Sequence, residues 1–209
     1  MTPVPSPLLL VTDRHQACRP LYEVVAEAVA AGARWVWLRD RDLDVAARRR
    51  LAHRLAKILQ SVGGLLSIGA DVGLAAEVGT GAVHVRDIGG VARARRALGS
   101  SALIGLSAHS LADVTKAQRA GADYVTLSPI YETTSKPGYG PALGIEAVQL
   151  AAKANIAIIG LGGISADNAL AVRDVGAAGV AIMGSVMRAR DPAQVIRVTP
   201  SRLELGGAP

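Results

Sequence analysis

The residues best suited to chemistry in this chain lie in two glycine-rich turns near its C-terminus. Each turn follows a short run of branched apolar residues and precedes a helix-like stretch. Glycine lets the backbone approach a ligand closely and lets successive N–H groups converge on one anion. A helix that starts beside those groups adds a favourable partial positive charge. The two turns predict a phosphate site formed by Gly162, Gly163, Met183, Gly184 and Ser185.

A longer polar loop, from Ser128 to Gly140, offers a second set of donors. It contains Thr133, Ser135 and Lys136, whose hydroxyl and ammonium groups are suited to a phosphate or a diphosphate. The loop closes with Pro137-Gly138-Tyr139-Gly140, which is typical of a mobile lid. An ordinary surface loop is the alternative interpretation. We favour a binding function because this loop and the glycine turns are expected to share one rim.

Two further groups of side chains follow apolar runs. Arg39 and Arg41 are expected to meet an anion. His109, two residues after Ser107, is the stronger acid/base candidate, because its ordinary pKa lies near neutrality. His84 lies within an apolar run, which fits a buried structural histidine equally well.

Carboxylates also follow apolar runs and raise the question of a metal. Asp71 and Asp87 are the candidates for a Mg²⁺ site. An isolated Asp before a helical stretch is more often the residue that caps the helix. The sequence therefore gives metal binding only weak support.

A repeated sequence pattern indicates which secondary-structure elements position these residues. Gly32, Gly79, Gly121 and Gly176 each end a helical stretch and precede a short apolar run. This pattern indicates a left-handed glycine at the helix end, followed by a buried strand. Counting all such runs gives eight strands that alternate with helices, which predicts a single-domain (β/α)8 TIM barrel. A doubly wound open sheet is the main competitor. We place the barrel within residues 1–200 and expect a mobile tail at 201–209.

Composition limits the classes of function. The net charge is +6, so nucleic-acid binding must be weighed, but aromatic residues are only 3% of the chain and leave little to stack bases on. The single cysteine fits a reducing compartment. No apolar run reaches the roughly 18 residues of a membrane span. We expect a soluble cytoplasmic protein that binds a phosphorylated small molecule, without nucleic-acid or membrane partners and with a homodimer as an option.

Taken together, these residues make the chain resemble the thiamine-phosphate synthase superfamily, which includes the thiazole tautomerases. The resemblance runs from Leu8 to about Pro192, and the order and spacing of its motifs make it specific. The motifs that carry it are Val11-Thr12-Asp13, Leu38-Arg39, Ala82-Val83-His84, Ser107-Ala108-His109-Ser110, Gly121-Ala122-Asp123-Tyr124, Pro129-Ile130-Tyr131, Thr133, Ser135-Lys136, Gly162-Gly163-Ile164 and Gly179-Val180-Ala181.

The resemblance implies a site for two substrates. A thiazole phosphate would bind at the Gly162-Gly163 and Met183-Gly184 turns. A pyrimidine diphosphate would bind near residues of the opposite strands and the loop, namely Arg39, Ser107, Thr133, Ser135 and Lys136. In a synthase, Mg²⁺ would help the diphosphate to leave, and the thiazole nitrogen would then capture the pyrimidine cation.

Three segments depart from the synthase pattern. Trp37-Leu38-Arg39-Asp40-Arg41 stands where a synthase has Gln-Leu-Arg-x-Lys, so a pyrimidine hydrogen bond is lost and bulk is added. Gly69-Ala70-Asp71 replaces Asn-Asp-Arg, and Arg86-Asp87-Ile88-Gly89 replaces Gly-Gln-x-Asp. The implied metal carboxylates are therefore missing, with Asp71 and Asp87 near their places but out of register.

The tautomerase branch fits in part. Its Ile-Arg-Glu-Arg pattern is closer to Leu38-Arg39-Asp40-Arg41, but its proton-transferring histidine falls at Pro129. His109 and Glu132 are then the acid/base candidates, and Lys136 completes the predicted catalytic set. We therefore put first a tautomerase-like or accessory protein that binds a thiazole phosphate. An active synthase with displaced ligands, using Mg²⁺, and a non-enzymatic binding module are the alternatives.

Overall fold

The protein folds into a closed barrel of eight parallel strands, with strand order β1 to β8 and β1 paired to both β2 and β8. The computed structural model describes residues 3–133 and 141–205, with side chains described up to residue 199. Helices surround the strands in regular alternation. The predicted single-domain (β/α)8 barrel is confirmed, and the open sheet is excluded.

The strands and helices lie close to the predicted runs. The strands are β1 Leu8–Val11, β2 Trp35–Leu38, β3 Leu65–Gly69, β4 Ala82–Val85, β5 Leu103–Ala108, β6 Tyr124–Leu127, β7 Ala157–Leu161 and β8 Gly179–Ile182. The helices are α1 Leu21–Ala30, α2 Val45–Gln60, α3 Val72–Val78, α4 Ile88–Leu98, α5 Leu111–Arg119, α6 Gly144–Ala151, α7 Ala169–Asp174, α8 Gly184–Met187 and α9 Pro192–Leu205.

The recurring glycines have the backbone geometry that the pattern indicates. All four have positive φ, and Gly79 at +70° is the left-handed C-cap of α3. An L-residue with a Cβ is strained there, so glycine allows each helix to turn directly into the next strand. The strands that follow are buried along nearly their whole length, as a parallel sheet covered by helices requires.

The lower barrel interior is filled by aromatic side chains. Trp35 and Tyr124 are fully buried and meet edge to face, with ring centroids 4.8 Å apart. The Trp35 indole N–H donates a hydrogen bond to Ser67 Oγ at 3.0 Å. The Tyr124 ring occupies the space that a side chain on Gly105 would need. The interior is therefore closed beneath the carboxyl ends of the strands, and any ligand must bind above these rings.

The last helix continues past the domain boundary expected at residue 200, since α9 extends to Leu205. Residues 206–209 lie outside the described residues. Within the described ranges, no helix is long and apolar enough to span a membrane.

Candidate active site

A cavity of about 320 Å³ opens at the carboxyl ends of the strands. This volume is within the range of small-molecule sites. Most of the predicted site residues line it. They are Trp37, Arg39, Arg41, Ser107, His109, Thr133, Gly162, Gly163, Met183, Gly184 and Ser185.

The remaining predicted residues divide into two cases. Glu132 is exposed and is not part of the cavity wall that the structure describes. Ser135, Lys136 and the predicted lid at 137–140 lie outside the described residues.

The turn after β7 packs tightly against the segment after β6. Gly162 has a φ of +98°, and a Cβ placed on it would be 2.8 Å from Pro129 Cα. Gly163 has a φ of +64°, and a Cβ there would be 2.5 Å from the carbonyl oxygen of Glu132. Both the positive φ and the lack of space require glycine, so this wall of the cavity is exposed backbone.

The turn after β8 completes this side of the cavity. A Cβ on Gly184 would be 2.5 Å from Arg188 Nη1, so the guanidinium lies directly over the glycine. The neighbouring Ser185 Oγ is buried and has no hydrogen-bond partner among the described residues. An unsatisfied buried hydroxyl costs free energy, so this group is well placed to bond a ligand.

Arg188 was missed by the sequence analysis. It follows Gly184 by four residues, which is about one helical turn and brings the side chain back over the glycine. Its guanidinium also donates a hydrogen bond to the side chain of Gln16. The spacing from the glycine turn was the available signal.

The segments after β1 and β2 form a hydrogen-bonded network. Arg39 makes an ion pair with Asp13 at 2.6 Å, and its backbone N–H donates to Thr12 Oγ1. The Thr12 hydroxyl in turn donates to Asp40, which also accepts the Arg14 N–H. Arg39 is thereby held in place, with its charge largely balanced by Asp13.

Arg41 and Arg86 lie beside this network and also line the cavity. Neither forms an ion pair with a carboxylate in the described ranges. Burial lowers the pKa of Arg41, and the charges of Arg86, Arg39 and Arg48 lower it further. Arg86 was not among the predicted site residues, although it follows β4 directly, where barrel side chains face the ligand.

His84 is a buried structural histidine with satisfied nitrogens. Its Nδ1 is 3.1 Å from the Tyr124 hydroxyl, and its Nε2 is 3.1 Å from Ser107 Oγ. Burial, aided by the charge of Arg41, lowers the pKa of His84 to about 3. The imidazole is therefore neutral at pH 7. It stacks on Trp37, with ring centroids 3.8 Å apart, and the pair forms an aromatic floor of the cavity.

His109 has the geometry of a proton-transfer group. Its Nδ1 lies 2.8 Å from the carbonyl oxygen of Ser128, which can only accept, so this nitrogen carries a proton. This hydrogen bond fixes the orientation of the imidazole ring. The backbone N–H of His109 donates to Asp113, which fixes the residue on the rim.

The carboxylates near the cavity do not fit a Mg²⁺ ion. The Asp71 side chain accepts the Leu74 N–H and pairs with Arg48, and the Asp87 side chain accepts the Gly90 N–H. Both are helix N-caps, so their carboxylates already accept backbone N–H groups and the weak expectation that they hold a metal gains no support here. Among the described residues, no group of three or more His, Cys, Asp or Glu could hold a metal ion.

Comparisons with known proteins agree with this geometry. The family described as thiamine monophosphate synthase matches residues 8–186. The thiamine-phosphate synthase of Azorhizobium caulinodans is 38% identical over 200 residues, covering 94% of each chain. That of Roseiflexus sp. (strain RS-1) is 32% identical over 203 residues, covering 93% of this chain and 86% of the relative.

A solved structure supports the fold. Thiamine phosphate pyrophosphorylase from Pyrococcus furiosus superposes with a TM-score of 0.85, covers 96% of both chains and is 24% identical in sequence.

Proposed function

We propose that this chain, which belongs to the thiamine monophosphate synthase family, joins a thiazole phosphate to a pyrimidine diphosphate. In this reaction the thiazole nitrogen forms a bond to the methylene carbon of the pyrimidine. The bond between that carbon and the diphosphate oxygen breaks, and inorganic pyrophosphate leaves with the electron pair. The products are thiamine phosphate and pyrophosphate. The observation that carries the proposal is one cavity lined on one side by a glycine cradle, formed by Gly162, Gly163 and Gly184, and on the other by Arg41 and Arg86, which have no carboxylate partner among the described residues.

The thiazole phosphate is assigned to the cradle after β7 and β8. Gly162 and Gly163 leave backbone exposed there because neither has room for a side chain, and the Arg188 guanidinium lies over Gly184. Ser185 Oγ and the Arg188 guanidinium supply a hydroxyl and a positive charge beside it. A phosphate needs several donors and at least one cation, and this cradle offers both.

The pyrimidine diphosphate is assigned to the side formed by β2, β4 and β5. The stacked rings of Trp37 and His84 offer an apolar face on which a flat heterocycle can lie. Arg41 and Arg86 lie at the rim above that face, where the negative charge of the departing pyrophosphate develops. Guanidinium groups aimed at that charge lower the barrier to bond cleavage.

The names of the relatives support coupling better than the tautomerase-like or accessory role that the sequence analysis put first. Under this proposal His109 lines the substrate cavity and does not carry out an isomerisation. The thiazole phosphate remains the common ligand of both hypotheses.

The proposal is tested by incubating the purified protein with both substrates and quantifying thiamine phosphate and pyrophosphate by chromatography. We expect equal amounts of the two products. Gly163→Ala, which forces a Cβ against the Glu132 carbonyl, should raise the KM for thiazole phosphate at least tenfold. Gly79→Ala is the matched control, because its φ is similarly positive but its Cβ would meet no atom within 4 Å.

Two results would contradict the proposal. One is the absence of both products at any substrate concentration while thiazole phosphate still binds, which would indicate a binding module. The other is isomerisation of thiazole phosphate without coupling, which would restore the tautomerase hypothesis.

A further inference from the structure

Two arginines flank a strand end that carries almost no side chain. β3 lies between β2 and β4 in the barrel and ends in Gly69, followed by Ala70. Arg41 follows β2 and Arg86 follows β4, and all four residues line the cavity. Arg41 and Arg86 therefore border the cavity on either side of the end of β3.

The carboxylates of this region are already engaged elsewhere. Asp13 pairs with Arg39, and Asp40 accepts from Thr12 and from the Arg14 backbone. Asp42 pairs with Arg14 and His15. In the described part of the wall, Arg39, Arg41, Arg86 and Arg188 line the cavity and no Asp or Glu does.

The cavity thus has an excess of positive charge. Like charges held close together raise the free energy of the folded protein unless an anion binds between them. Burial is the main cause of the lowered pKa of Arg41, and the charges of Arg86, Arg39 and Arg48 lower it further. A divalent cation would meet the same repulsion and would find no Asp or Glu among the described residues that line this cavity.

We propose that Arg41 and Arg86 bind the diphosphate of the second substrate directly and take the place of a divalent metal ion. Each guanidinium can donate two parallel hydrogen bonds to phosphate oxygens, which neutralises the charge that builds up as pyrophosphate departs. The identity of that substrate rests on the proposed function. The existence of an anion site between Arg41 and Arg86 does not.

The test uses inorganic pyrophosphate as the probe and calorimetry on the full chain in EDTA. We expect binding with a stoichiometry of one and no metal requirement. Arg41→Gln and Arg86→Gln should each raise the Kd at least tenfold, because each removes two charge-assisted hydrogen bonds. The control is Arg93→Gln on α4, an exposed residue 3.5 Å from Asp87, which should change the Kd less than twofold. Circular dichroism checks that each variant is folded.

The result that would overturn the inference is pyrophosphate binding that appears only when Mg²⁺ is added. Binding by folded Arg41→Gln and Arg86→Gln that equals the unmodified protein would overturn it as well.

Failure of this inference can be separated from failure of the proposed function. Metal-free pyrophosphate binding without formation of thiamine phosphate would leave the anion site intact and reject the coupling reaction. Coupling that stops in EDTA, together with no pyrophosphate binding in EDTA, would leave the proposed function intact and reject the arginine site.

Discussion

The indole of Trp37 occupies the space that a side chain on Gly69 would need. A Cβ placed on Gly69 would be 2.9 Å from Trp37 Nε1 and 2.8 Å from the carbonyl oxygen of Leu38. The two residues lie on neighbouring strands, so the large Trp37 side chain on β2 packs where Gly69 on β3 has no side chain. The synthase pattern that this chain resembles has Gln and Asn at these positions. In this chain the Trp37 indole and the missing side chain of Gly69 fit together in the cavity floor.

Gly69→Ala should destabilise the protein by about 1–3 kcal/mol, because the Leu38 carbonyl cannot move away and the indole is buried. Gly73→Ala in α3 is the control, since its Cβ would meet only Asp71 Oδ1 at 3.6 Å. That change should be neutral or stabilising by up to about 1 kcal/mol, as alanine favours helix. Urea unfolding measures both variants. Equal stability of the two would show that the floor is not tightly packed.

Arg188→Ala should weaken binding of thiazole phosphate by about 10- to 100-fold, the effect of removing one charge-assisted contact to a phosphate. The guanidinium lies over Gly184, where we place that phosphate. Arg190→Ala, two residues further along the chain, removes the same charge from an exposed position and should change the Kd less than twofold. Calorimetric titration distinguishes the two variants. A similar small effect for both would mean that Arg188 adds only to the overall positive charge of the protein and makes no direct contact with the phosphate.

Ser185→Ala should separate ligand binding from stability. The Oγ of Ser185 is buried and has no partner among the residues described, so its removal should leave the free energy of unfolding unchanged or raise it by up to about 2 kcal/mol. Loss of a hydrogen bond to the phosphate should raise the Kd for thiazole phosphate about five- to tenfold. Unfolding curves and calorimetry provide the two readouts. A Kd that does not change would remove Ser185 from the phosphate site.

His84 should make the protein less stable as the pH falls. Its pKa is about 3 in the folded protein, where it faces Arg41 and the Tyr124 hydroxyl, and about 6.5 in the unfolded chain. The unfolded state therefore binds the proton first. Stability is fully present above pH 6.5 and declines toward pH 3. Between pH 7.5 and 5.5 the loss from this one group should be about 1.4 kcal/mol.

The variant His84→Gln isolates this effect, because the other histidines are the same in both proteins. We expect its free energy of unfolding to fall about 1.4 kcal/mol less than that of the unmodified protein over the same pH interval. Parallel pH dependences in the two proteins would show that His84 is not held neutral by burial.

The fold could be predicted from the sequence because its signals are local. A glycine such as Gly79 must adopt a left-handed backbone wherever a helix turns directly into a strand. The glycine cradle was predictable for the same reason, since Gly162 and Gly184 each lie at the end of an apolar run. The carboxyl ends of all strands meet on one rim of a barrel. The predicted fold therefore also predicts that Arg39, Ser107 and Thr133 line the same cavity, as the structure shows.

The rest of the site depends on contacts between distant segments. Asp71 and Asp87 were ambiguous until the structure showed their carboxylates bonded to the first turns of α3 and α4. Arg86 and Arg188 have long side chains, and no local pattern says which way such chains extend. The contact between Trp37 and Gly69 joins two strands, so it likewise cannot be predicted from the sequence of one segment alone.

Sequential calorimetric titration tests most directly the central claim, that one cavity holds two anions at separate places. Thiazole phosphate is titrated into the protein to saturation, followed by inorganic pyrophosphate in EDTA. We expect each to bind once without displacing the other, with Gly163→Ala weakening only the first and Arg41→Gln only the second. Displacement of thiazole phosphate by pyrophosphate would contradict the claim. So would an equal loss of affinity for both ligands in both variants.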